Sequence, residues 1–158
     1  MLPSSVAPAV KASSTTRPFA SVVAKAASSA LDASTAAATL PQADATQLEA
    51  RIAGEDAELW SAFRDTYRAG ITQCTSRGFC TCWGEYMASI HAVAAPLFHM
   101  DETGQSFSIN CGIPAFRLQP GQLEGEIGPR IAALADSIRA IARQAEPAAP
   151  QRKQQRKS

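Results

Sequence analysis

The chain has 158 residues, 46% of them hydrophobic but only 6% aromatic, which is the length of one domain with a thin, alanine-heavy core. Its net charge of +1 conceals a division: residues 1–31 carry three bases and no acid, residues 143–158 carry five bases and Glu146, and residues 32–142 carry seven arginines against thirteen acids, a net of −6. No stretch approaches the roughly 18 apolar residues of a membrane span, so the sequence reads as a soluble, cytoplasmic protein, and the acidic body excludes DNA binding through its globular part.

Residues 1–18 are rich in Ser, Ala, Pro and Thr, a composition that fits a disordered arm or an organellar transit peptide. The run FASVVAKAASSAL, Phe19 to Leu31, has helix formers with apolar groups on one side, and residues 32–43 read as a polar connector broken by Pro41. Leu48 and Ile52, four apart before Gly54, mark a first helix of the body. Trp60, Phe63, Tyr67 and Ile71 mark a second, and Gly78 after Arg77 suits its C-terminus.

The period then changes. Residues 79–83 and 89–98 are rich in β-branched, aromatic and small side chains. Residues 105–111 alternate, with Phe107, Ile109 and Cys111 on one side and Ser106, Ser108 and Asn110 on the other. Asp101 and Gly104 mark the hairpin turn between the last two strands. A closing amphipathic helix starts near Pro120 and runs through Leu123, Ile127, Ile131, Leu134, Ile138 and Ile141, with Pro129 expected to kink it or shift its start. After Ala145 the sequence loses its periodicity and reads as a solvated basic tail. Three strands form a thin sheet for this many helices, so part of it is expected to be missing or supplied by a partner.

The candidate chemistry is sparse. GxSxG, HExxH, GxxxxGK[ST] and GxGxxG are all absent. Cys74, Cys80, Cys82 and Cys111 come without a secretory signal, which favours reduced thiols packed as small hydrophobes over a zinc site completed by His91 or His99. The two histidines lie on or beside the hairpin and lack an acid at a spacing that would orient them. Cys82 with His91 is a conceivable nucleophile and base, and a strand histidine at an edge or interface is the plainer reading. The Ser106–Ser108–Asn110 side either binds a small polar ligand, if it looks toward helices, or simply faces water.

The stretch RGFCTCWGEYMASIHAVAAPLF, followed by INCGIPAFRL, resembles the C-terminal half of the effector-binding domain of IclR-type transcription regulators. The family's pattern is a helix ending in R-G-F/Y, a short strand, and a hairpin whose strands end in AAP and near N-x-G/S-x-P. PFASVVAKAASSAL is similar to the family's small-residue helix, and EIGPRI to the start of its terminal helix. The resemblance covers roughly residues 10–145 and implies an α+β, GAF-like domain with a small antiparallel sheet flanked by helices. It further implies that the N-terminal strands and the preceding winged helix-turn-helix lie outside this chain, and it replaces the transit-peptide reading. The expected division is residues 1–18 as an arm or start of the domain, 19–145 as a partial effector-binding domain, and 146–158 as a disordered tail.

Carried over by position, the effector pocket implied by the resemblance takes in Val22, Val23, Cys82, Ala92, Asn110 and Gly112. Ser108 joins them by sharing the strand phase of Asn110. The chain departs from the family in lacking the usual Gly before Lys25, in having Cys82 where an acid is common, and in having Ala92 where a polar or thiol side chain is common. The Asn110 amide and the Gly112 backbone suit a carboxylate or hydroxyl on a small organic acid or aromatic metabolite. The expected function is effector binding and oligomerisation within a regulator of transcription, as a dimer or tetramer, with no cofactor, no metal, no membrane and no catalysis. DNA would be bound only through a helix-turn-helix outside the chain. The alternatives are a small cysteine-dependent enzyme using Cys82 and His91, or an association remnant that binds nothing.

Overall fold

The computed structural model describes residues 10–14 and 30–145. In chain order the elements are β1 (Val10–Ser14), α1 (Ala30–Thr39), α2 (Gln42–Glu55), α3 (Ala57–Arg77), β2 (Cys80–Met87), β3 (Ile90–Met100), β4 (Gln105–Pro114) and α4 (Gly128–Ala145). The strands form one antiparallel sheet in the order β1-β4-β3-β2. The architecture is α+β, with helices against both faces of a small sheet. The sheet has one strand more than the three that alternation picks out, because Val10–Ser14 pairs with the outer edge of β4, Val10 opposite Cys111 and Ser14 opposite Phe107.

Residues 19–29 of the expected small-residue helix lie outside the described residues. The reading of 32–43 as a connector is corrected: Ala30–Thr39 is helical. Its hydroxyls made it look like a loop, yet in the helix they bond back to its own carbonyls, Ser34 Oγ to Ala30 O at 2.6 Å and Thr35 Oγ1 to Leu31 O at 3.0 Å. Both side chains are buried, and alanine, the best helix former, supplies most of the rest. Ser34 also donates to Tyr67 O of α3 at 3.0 Å. That close crossing needs Gly70, where a Cβ would fall 2.3 Å from Ser34 Oγ.

Gly54 does not end α2, which runs on to Glu55. The break comes at Asp56, whose extended backbone closes α2 and whose side chain caps α3 by accepting from Leu59 N at 2.8 Å. At the other end of α3, Gly78 takes the left-handed conformation (φ 82°), as its position after Arg77 predicts. Tyr67 is wholly buried with Leu48, Ile52, Ala33 and Ala37, and its ring meets Trp60 and Phe63 edge-on. Three helices thus share a core of their own.

The closing helix also begins later than its periodicity suggests. Leu123–Ile127 forms a wide π-helical turn, and α4 starts at Gly128 with Pro129 in its first turn. First-turn amides have no partner within an α-helix, so Pro129 is accommodated at the start of α4. Gly128 is packed directly under Phe79, whose ring would lie 2.1 Å from an added Cβ.

Strand alternation divides the core. Toward α4 point Val93, Ala95, Ile109, Cys111 and Ile113, which pack with Phe79, Leu123, Ile131 and Ala135. Toward α1 point Cys80, Cys82 and Ala94, which pack with Leu31 and with Cys74 of α3. All four cysteines are free thiols and buried. No helix among the described residues is long and apolar enough to cross a membrane.

Candidate functional site

The α1 face of the sheet carries the polar residues that alternation separated from the dry core. Cross-strand register arranges them in rows. Cys82 stands opposite Ala92, and Ala92 opposite Gly112. The next row runs Cys80, Ala94, Asn110 and, on β1, Lys11. The third pairs Pro96 with Ser108. Rows on one face of a strand repeat about every 6.8 Å, so five expected positions, Cys82, Ala92, Ser108, Asn110 and Gly112, share a patch three rows deep. Val22 and Val23 lie outside the described residues.

Coverage of the patch is uneven. α1 lays Leu31 and Ala38 over its β2 and β3 side, where Ala94 and Cys80 are buried. Toward β4 the face opens: Ser108 and Asn110 are half-buried and Gly112 is exposed. The question of whether Ser106, Ser108 and Asn110 look toward helices or only toward water is answered at Ser106. Its Oγ lies 3.0 Å from Thr39 Oγ1 at the end of α1 and 2.9 Å from His99 Nδ1. We call the strip bounded by α1, with a mixed apolar and polar floor and exposure that rises toward β4, the trough.

Sequence reasoning missed two residues at its far end. Thr39 was hidden in the presumed connector. His99 reaches Ser106 because the register slips between Pro96 and Phe98, a bulge that re-aims the strand. His99 also has an acid near it, contrary to expectation: Asp101 Oδ1 is 3.8 Å from Nε2, two residues along the turn. Only Ser106 carried a readable signal, sharing its phase with Ser108 and Asn110.

The geometry does not assemble the alternative nucleophile and base. Cys82 is opposite Ala92 and faces α1, whereas His91 is opposite Trp83 on the other side of the sheet, where the two rings meet at 5.1 Å. Among the thiols, Cys74 and Cys80 are hydrogen-bond neighbours. That bond, reinforced by Arg77, holds Cys74 below the usual thiol range against the opposing effect of burial, and the same bond with burial pushes Cys80 up. Burial alone pushes Cys111 up. Among the described residues no group of three or more His, Cys, Asp or Glu side chains is placed to hold a metal ion.

No protein-family model and no curated protein matches the chain. Solved structures do. An IclR family transcriptional regulator from Brucella abortus is 27% identical with a TM-score of 0.61, over 73% of this chain and 43% of that protein. A putative transcriptional regulator from Rhodococcus sp. RHA1 is 21% identical with a TM-score of 0.51, over 68% of this chain and 44% of its own. A putative IclR transcriptional regulator from Silicibacter sp. TM1040 is 17% identical with a TM-score of 0.51, over 74% and 44%. The chain therefore spans less than half the length of these proteins. In fold, and toward the Brucella protein in sequence as well, the chain is related to the IclR-family transcriptional regulators.

Proposed function

We propose that the chain is the effector-binding module of an IclR-type regulator of transcription, taking a small organic acid or aromatic metabolite in the trough between α1 and the sheet. The observation that carries this reading is the patch itself: five positions expected from the sequence fall in three adjacent cross-strand rows on the sheet face that α1 packs against. Asn110 supplies an amide, Ser106 and Ser108 hydroxyls and His99 an imidazole, while half-buried Ala92 supplies apolar surface. In this reading the domain is GAF-like and cytoplasmic. It associates with further copies, and DNA is held by a helix-turn-helix carried elsewhere, consistent with a −6 body. Catalysis has no part in it, a choice supported by the placement of Cys82 and His91 on opposite faces.

Calorimetric titration of the chain and of Asn110→Leu against a panel of hydroxylated and carboxylated metabolites tests the reading. A hydrogen bond to a neutral ligand is worth about 0.5–1.5 kcal/mol, and to a charged one up to about 3. The variant is therefore expected to bind roughly tenfold more weakly where it remains folded. Equal affinities, or a loss of stability without a loss of affinity, would reduce Asn110 to a structural part of the hairpin.

A further inference from the structure

α4 has more apolar surface than the fold uses. Its buried positions, Gly128, Ile131 and Ala135, face the sheet, and half-buried Ile138 packs against the same core. One flank is engaged as well: Ala132 lies against Gly78, and Arg139, paired with Asp136, donates to Pro96 O of β3. On the opposite flank Leu134 is 41% and Ile141 66% exposed. The surface around these two side chains carries little charge. Leu134, Ser137, Ile141 and Gln144 recur at intervals of 3, 4 and 3, the seven-residue repeat of a helix–helix seam, and the small side chains of Ala133 and Ala140 border them. At about 100° per residue, Asp136, Arg139 and Arg143 all lie roughly a third of a turn or more away from this stripe. Depletion of charge is what separates the centre of an interface from ordinary surface.

We propose that this flank of α4 is a homodimer interface, in which the helix pairs with α4 of a second copy, antiparallel across a twofold axis near residue 139. A second copy fits because the stripe complements itself. With the axis there, Ile141 of each copy lies level with the partner's Ser137, and Leu134 with the partner's Gln144, so each rigid aliphatic side chain meets a small or flexible one. Charge fixes the direction. Arg130 closes the N-terminal end of the seam, where it bonds Glu126 at 3.1 Å. Antiparallel pairing carries Arg130 to the end of the partner's helix, whose last carbonyls form the negative pole of its dipole, whereas parallel pairing sets Arg130 against Arg130. A seam from Arg130 to Ala145 is about 24 Å long, which suits a reversible dimer and not an obligate one. The interface gives the association of copies a surface, and it does not depend on where an effector binds.

Analytical ultracentrifugation of the chain from the low micromolar to the submillimolar range tests the proposal. A monomer–dimer equilibrium is expected, and Ile141→Glu should weaken it about tenfold or more by bringing like charges together in the seam. Ser137→Glu, at an exposed position, is the second variant should Ile141→Glu fail to fold, with the same effect expected. Oxidative cross-linking reads the direction. A mixture of Leu134→Cys and Gln144→Cys chains should join through the new thiols, and Leu134→Cys alone should not, because its two copies stand about 15 Å apart along the seam. A monomer throughout the range would overturn the proposal. So would a dimer that the folded Ser137→Glu chain forms equally well, a result that leaves the association of copies to another surface. A Leu134→Cys chain that cross-links to itself would overturn the antiparallel pairing.

Discussion

Toward α4 the sheet turns Val93, Ala95, Ile109, Cys111 and Ile113 into a core closed by Leu123 and Ile131, with Val93 and Leu123 fully buried. Toward α1, residues one step out of phase on the same strands are Ala92, Ala94, Ser108, Asn110 and Gly112, and their exposure rises from buried Ala94 to exposed Gly112. Two faces separated by the thickness of one backbone thus carry different burdens. The first is dry and intolerant of changes in volume. The second is small, polar and partly open, which is what a surface needs if its shape is to be completed by something else. Alternation permits both at once, since a change in one set of side chains leaves the other undisturbed.

The comparison breaks most readily on the dry side. Leu123→Ala removes a fully buried side chain from the closed core and should cost about 2–5 kcal/mol in denaturant unfolding, with no specific effect on ligand affinity where the protein remains folded. A cost below that of a surface substitution would mean that the α4 face is not the principal core. Gly128→Ala forces a methyl group into the Phe79 ring. Overpacking of that kind costs about 1–3 kcal/mol, and a second change, Phe79→Leu, should recover part of it by giving the methyl room.

A third test concerns the helices that stand behind α1. Tyr67 has its phenol raised from 10.0 to about 12, so the folded chain disfavours phenolate. Its contribution to stability is complete below pH 10 and is lost as the pH climbs through 12. Across that window the unfolding midpoint of the chain should fall further than that of Tyr67→Phe. Parallel curves would show that Tyr67 is open to solvent in solution. The smallest effect belongs to the trough. Thr39→Val removes the link to Ser106, at a cost of about 0.5–1.5 kcal/mol, and should shift the His99 imidazole resonances; an unmoved His99 would separate the far end of the trough from α1.

Much of this was legible in the sequence because the residues concerned obey one local rule. Ile109 and Asn110 point opposite ways on any strand, Gly78 follows a basic residue as a left-handed cap, and Trp60, Phe63, Tyr67 and Ile71 have helical spacing. What was not legible depends on several elements at once. Asp32–Thr39 resembles a linker until α3 approaches closely enough at Gly70 to bury Ser34. Val10–Ser14 alternates over only four residues, Val10, Lys11, Ala12 and Ser13, too short a signal to stand out in a Ser- and Ala-rich segment, and its pairing with the edge of β4 makes it a strand. His99 comes into line with Ser106 through a slip in register between Pro96 and Phe98, which depends on how two strands are paired and not on either alone.

One feature of α1 reaches beyond the trough. In ten residues it places Leu31 and Ala38 on the sheet patch and Ala33 and Ala37 in the core shared with α2 and α3. A short helix moves as a rigid rod, so a displacement at one of these boundaries changes the dimensions of the other. Thermodynamic linkage then fixes the form of the result. Whatever free energy a ligand in the trough draws from moving that rod, the core shared by the three helices supplies, so an occupied trough changes the stability of the helices behind it by an equal amount.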